Sequence, residues 1–142
     1  MPRVSQEVAK LTRQRIIDVS IKIVTLEGGE SLTFSNIAKK AEISRSGINC
    51  HFKKKEDLLD EIRPELAKRL EQALDFSSPE LFFETWTLAV DHDRMFRNLL
   101  NNLGFIINSQ DGAKSLANKI NGGEEDVMAV VYKAIGYAVV NA

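Results

Sequence analysis

The sequence predicts an all-α protein, and three observations carry that expectation. No stretch shows strand-like alternation of apolar and polar residues. Apolar residues instead recur at spacings of three and four through several segments. Those segments are bounded by residues that start and stop helices, among them Thr33, Ser44, the run Ser77-Ser78-Pro79-Glu80 and the pairs Gly28-Gly29 and Gly122-Gly123. At 142 residues, 44% hydrophobic and 27% charged, the chain is long enough to bury a core and is unlike a disordered segment. One cysteine excludes an internal disulfide framework and fits a reducing, intracellular setting. The opening "MPRVSQEVAKLTRQR" carries charge where a secretory signal needs an apolar run, and no window approaches the roughly 18 apolar residues of a membrane span, so a cytoplasmic protein is expected.

From Thr12, Ile16, Ile17, Val19, Ile23, Val24 and Leu26 share one broad helical face, and Gly28-Gly29 ends that helix. Thr33 can cap a short second helix with Phe34, Ile37, Ala38 and Ala41 inward, and Ser44 can cap a third of about two turns with Ile48 inward. Leu58, Leu59, Ile62, Leu66, Leu70 and Leu74 predict a long fourth helix, kinked rather than stopped by Pro64. Ser77-Ser78-Pro79-Glu80 starts the next: a serine cap, proline in the first turn, and an acid at the positive end of the helix dipole. That helix holds Leu81, Phe82, Trp86, Leu88 and Ala89, with breaks expected near Asp91 to Asp93 and at Gly104, and a weaker helix is expected from Gly112 to Ile120. The last, opened by Glu124, Glu125 and Asp126, is apolar nearly all round from Val127 to Val140, which predicts burial on more than one side.

Charge is unevenly spread. Residues 1–55 hold eleven Lys/Arg against five Asp/Glu, a net of +6, so with −1 overall the remainder carries −7. A basic end joined to an acidic one suits a protein whose first part meets a polyanion. Residues 33–52 read as a capped short helix, a tight turn and a second short helix with small, polar or basic outward residues, the layout of a helix-turn-helix. Ser46 and Gly47 allow close approach to a groove, Arg45 can reach a guanine edge or a phosphate, and the caps Thr33 and Ser44 direct backbone N–H groups outward to bind phosphates.

Residues 12–62, "TRQRIIDVSIKIVTLEGGESLTFSNIAKKAEISRSGINCHFKKKEDLLDEI", resemble the DNA-binding domain of TetR-family transcriptional regulators, which end in an aromatic-x-His-Phe-x-x-Lys-Glu-x-Leu pattern; here that end runs from Asn49 to Leu58. The resemblance implies that the segment from Ser44 to Cys50 is the recognition helix, that Phe52 packs in a three-helix core, and that His51 and Lys55 lie near the DNA backbone. Two positions depart from the pattern: Asn49 replaces a frequent tyrosine, and Glu42 replaces a frequent glycine in the turn, where a positive φ would strain it. The part beyond residue 75 shows no resemblance and is short for a family that usually builds a larger ligand-binding and dimerising bundle.

Other chemistry is poorly provided for. Cys50 and His51 are adjacent and diverge on a helix, as do Asp91, His92 and Asp93, so no metal site is expected. With no nucleophile elbow or phosphate-binding loop, neither an enzyme nor a cofactor is expected. Eight of the ten aromatic residues lie beyond residue 75; Phe82, Trp86, Phe96 and Phe105 could line a pocket for a small apolar effector, or form core and dimer interface. In the last helix Val127, Val131, Ala134, Ile135 and Ala138 form the expected homodimer face, paired with the helix that begins at Pro79. The expected organisation is a helix-turn-helix DNA-binding domain over residues 1–55, with a linker helix and short dimerisation bundle over 56–142. The expected function is a sequence-specific regulator, a repressor bound as a homodimer to a palindromic double-stranded DNA operator. Its DNA contacts fall on Thr33, Ser44, Arg45, Ser46, Gly47, Asn49, His51 and Lys55. Two rivals stand beside it: a helical protein-interaction module that has lost operator binding, and a small-molecule sensor.

Overall fold

A computed structural model describes residues 2–102 and 110–142; among them every regular element is helical. The chain divides into two compact units, Met1–Leu66 and Ala67–Ala142.

In the first unit, helix α1 spans Pro2–Glu27. It starts well ahead of Thr12, because the polar stretch before that residue contains helix-compatible side chains without core periodicity. Its buried face holds Ile16, Ile21, Ile23 and Val24, whereas Leu26 is exposed. Ser20 and Thr25 share that face because their hydroxyls donate to the carbonyls of Ile16 and Ile21, at 2.6 and 2.7 Å. Gly28, at φ 96°, ends α1, and its N–H donates to the carbonyls of Ile23 and Val24. A 3-10 turn at Gly29–Ser31 leads to α2, Phe34–Ala41, where the Thr33 hydroxyl accepts from the Asn36 N–H at 3.1 Å. Ile37 and Ala41 are buried, Phe34 and Ala38 half-buried. Helix α3, Arg45–Asn49, is capped by Ser44, whose hydroxyl accepts from the Gly47 N–H at 3.0 Å, and it buries Ile48. Helix α4, Lys55–Glu71, begins in this unit and ends in the second; it runs through Pro64 without stopping and buries Leu58, Ile62, Leu66 and Leu70 at helical spacing. Leu74, expected in the same helix, lies beyond its end and is half-buried.

The second unit holds α5 (Pro79–His92), α6 (Arg94–Asn102), α7 (Gln110–Lys119) and α8 (Glu124–Asn141). The Ser78 hydroxyl accepts from the Leu81 N–H at 3.2 Å, with Pro79 in the first turn. Asp93 both ends α5, its N–H donating to the Ala89 carbonyl, and starts α6, its carboxylate accepting from the Phe96 N–H at 3.1 Å. The break expected at Gly104 lies outside the described residues. The most extensive helix pairing is between α5 and α8. They run in the same direction: Pro79 lies by Gly122, while further along the Tyr137 hydroxyl donates to both carboxylate oxygens of Asp91 at 2.7 Å. Phe82, Trp86 and Phe96 fill the core ring on ring, with centroids 5.6 Å apart at each step.

The last helix departs from burial on more than one side. Val127, Val130, Val131, Ala134 and Ala138 are buried within the chain, whereas Tyr132, Val139 and Val140 are 69%, 65% and 81% exposed. One stripe is enough to pack against α5, so the opposite apolar face has no partner among the described residues of the same chain.

Candidate nucleic-acid interface

Helices α2 and α3 pack together across a turn of three residues, Glu42 to Ser44. Glu42 carries the left-handed backbone, at φ 57° and ψ 45°, and its N–H and that of Ile43 both return to the Ala38 carbonyl. Such closure of a helix is ordinarily left to glycine, since a Cβ crowds the backbone there. Ile43 is half-buried, and Gly47 faces it: a Cβ on Gly47 would lie 2.9 Å from Ile43 Cγ2 and 3.1 Å from the Ser44 hydroxyl. The glycine expected to ease approach to a groove therefore also has a packing role inside the motif.

With Ile48 buried, Arg45, Ser46 and Asn49 are exposed, and Arg45 and Asn49 lie one turn apart on one face. Arg45 makes no hydrogen bond or ion pair among the described residues, so its five donors are available. The Ser46 hydroxyl meets that of Ser44, at 3.2 Å. Ser44 and Thr33 are exposed, and each spends its hydroxyl on capping its own helix. After α3, the N–H groups of His51 and Phe52 both donate to the Ile48 carbonyl at 2.9 Å, turning the chain so that Phe52 enters the core. Lys53, Lys54 and Lys55 follow, all exposed. The Lys55 ammonium donates to the Gly29 carbonyl at 3.4 Å, which draws it toward the approach to α2. Asp57 accepts from the Lys54 N–H and offsets part of the unfavourable charge at the start of α4.

Behind α3 lies a contact that no local sequence pattern announces. Arg13 of α1 stacks over Phe52, 4.4 Å from the ring centroid, and donates to Glu61 of α4 at 2.5 Å. Its place in the opening "TRQR" of the family-like string was the only available signal.

The remaining residues singled out fall elsewhere. Among the described residues no group of His, Cys, Asp and Glu could hold a metal, and no helix is long and apolar enough to cross a membrane. Asp91 receives Tyr137 and Asp93 caps α6, so that polar turn has structural work. Of the aromatic residues considered for an effector, Phe82, Trp86 and Phe96 are buried together and Phe105 lies outside the described residues. Of the dimer face, Val127, Val131, Ala134 and Ala138 point into the chain's own core and Ile135 is half-buried.

Comparison with known proteins agrees with this geometry. Residues 16–62 match the model of the bacterial regulatory proteins of the tetR family, inside the segment that carries the resemblance. The chain is 40% identical over 62 residues to the HTH-type transcriptional regulator AcrR of Shigella flexneri, covering 44% of this chain and 29% of that protein. It is 35% identical over 91 residues to the uncharacterized HTH-type transcriptional regulator TtgW of Pseudomonas putida, covering 63% and 66%, and 34% identical over 91 residues to SrpR of the same species, covering 63% and 41%. The chain thus spans less than two thirds of the length of each of these relatives. A capped α2, a tight turn, a short α3 with Arg45 exposed, and the matching string from Ile16 to Ile62 together show that residues 16–62 are a helix-turn-helix segment of the tetR family of bacterial regulatory proteins.

Proposed function

We propose that this protein is a cytoplasmic, sequence-specific DNA-binding regulator of transcription, a repressor that works by occupying a palindromic operator as a homodimer. The observation that carries the reading is the outer face of α3: Arg45 and Asn49 stand side by side on a helix otherwise fixed by Ile48, with three exposed lysines directly after it. In the major groove an arginine can bond O6 and N7 of guanine together, and the lysines supply contacts to phosphate whatever the sequence. In this arrangement Thr33, Ser44, His51 and Lys55 lie along the backbone, Ser46 and Gly47 permit close approach, and Asn49 makes a second base or phosphate contact. Selection from random duplex DNA at moderate salt is the test. A palindromic consensus is expected, with log affinity falling linearly against log salt, and Lys55→Ala lowering that slope by about one unit. Recovery of no consensus would favour a protein-interaction module on the same scaffold.

The homodimer reading is supported by the outer face of α8, where Tyr132 and Val139 flank half-buried Ile135 beside exposed Gly136. Nothing lies within 4 Å of a Cβ placed on Gly136, so a second helix can come close there. A second reading, control by a small apolar effector, draws on one observation: the buried indole N–H of Trp86 has no partner among the described residues, a cost that an acceptor on a ligand would remove. Thermal-shift screening with tryptophan fluorescence as a second readout tests it. Ligands that raise the melting temperature without perturbing Trp86 emission would count against this site.

A further inference from the structure

Helix α3 is five residues long, too short to hold its own direction, so what fixes its two ends fixes what it presents. The first end is set by Ser44 and the middle by Ile48. The second end is set by Phe52, which hangs from the Ile48 carbonyl and is covered by Arg13. The Arg13 guanidinium touches three things: the Phe52 ring at 4.4 Å, the His51 carbonyl in a long contact of 3.5 Å, and Glu61 Oε1 at 2.5 Å. The ion pair is more than one-third exposed on both sides, so its contribution to stability is small. Its geometric reach is larger, because the guanidinium bridges α1, the exit of α3 and α4. We infer that Arg13, held by Glu61, is a positioning residue for sequence reading: through Phe52 and the His51 carbonyl it sets the angle at which the second half of α3, with Asn49, meets DNA.

This rests on the DNA-reading function proposed above, and the experiment separates the two. The wild type, Arg13→Ala, Arg13→Lys and Glu61→Gln are compared for affinity to the duplex that the wild type selects and to an unrelated duplex of equal length. Circular dichroism and melting temperature are recorded for each. Arg13→Ala should lower the ratio of the two affinities about 5- to 30-fold. Arg13→Lys should restore affinity for the unrelated duplex without restoring the ratio, because lysine keeps the charge but not the planar stack. Glu61→Gln, nearly the same shape, should lower the ratio while binding to unrelated DNA holds or rises, opposite to what losing a phosphate contact would do. It also carries the test should Arg13→Ala fail to fold. Unchanged ratios in the folded variants, with only the melting temperature lowered, would overturn the inference and leave Arg13 a packing residue. A wild type that selects no sequence would instead remove the reading function, and the inference with it.

Discussion

Glu42 holds a left-handed backbone without any hydrogen bond from its side chain among the described residues. Replacing it with glycine removes the crowding of Cβ but gives the unfolded chain more freedom, so a net gain of about 0.5–1 kcal/mol is expected. Urea titration should show a higher midpoint at unchanged slope. The same substitution removes an acid two residues ahead of Ser44, so affinity for any duplex should rise as well. At Arg45 the expected effect is confined to binding. Arg45→Ala should cost about 1–3 kcal/mol at the preferred operator and relax one symmetric pair of positions, with unrelated DNA bound almost as before. Selected sequences from the two proteins decide this: an identical consensus with unchanged information at every position would make Arg45 a phosphate contact. Both positions stand out in the sequence, Glu42 because glycine is usual there and Arg45 because it is the long donor on α3.

At the scale of elements, α5 and α8 are joined on one side by Phe83, whose ring meets Tyr137 edge-on at 6.1 Å and the Lys133 ammonium at 4.9 Å, and by the Tyr137 hydroxyl on Asp91. Donation to the Asp91 carboxylate raises the Tyr137 phenol above its ordinary value of 10.0. A raised folded value means that the neutral phenol is favoured in the folded state. Its stabilisation is complete below about pH 10 and is lost as pH rises through the folded value. Asp91→Asn should bring the phenol back toward its ordinary value, read by ultraviolet titration of tyrosinate, and should shrink the loss of stability in that alkaline window. An unchanged titration would mean that the bond does not persist in solution. Asp75 is displaced the other way: the Ser77 hydroxyl and N–H donate to it and hold its carboxyl below the ordinary range, so its contribution is present above about pH 4 and fades as pH falls.

For the whole molecule, assembly is the property most altered by seeing which way α8 faces. Val131 is wholly buried in its own chain, so Val131→Asp would report on folding rather than on dimerisation. Tyr132→Asp and Val139→Asp, on exposed positions, are the informative pair. Light scattering should show a dimer at micromolar concentration for the wild type and a folded monomer for the double variant. Operator binding should weaken far more than binding to unrelated DNA, since a two-fold protein reads two half-sites about one helical turn apart. A stable wild-type monomer would refute the proposed assembly.

Much of this fold was legible because its signals act within a few residues. Gly28, the caps at Thr33, Ser44 and Ser78, and the spacing of Leu58, Ile62, Leu66 and Leu70 need only the four residues on either side to take effect. The helix-turn-helix and its outward residues followed from them, together with the family-like string. Two matters belonged to the tertiary structure. An apolar helix such as α8 has no periodic pattern to say which face turns inward; packing against α5 made that choice and left Tyr132 and Val139 outside. The partners of Arg13 and Tyr137 are distant in sequence, and local chemistry cannot select Glu61 and Asp91 from among twenty acids; only the crossing of helices brings those charges within reach.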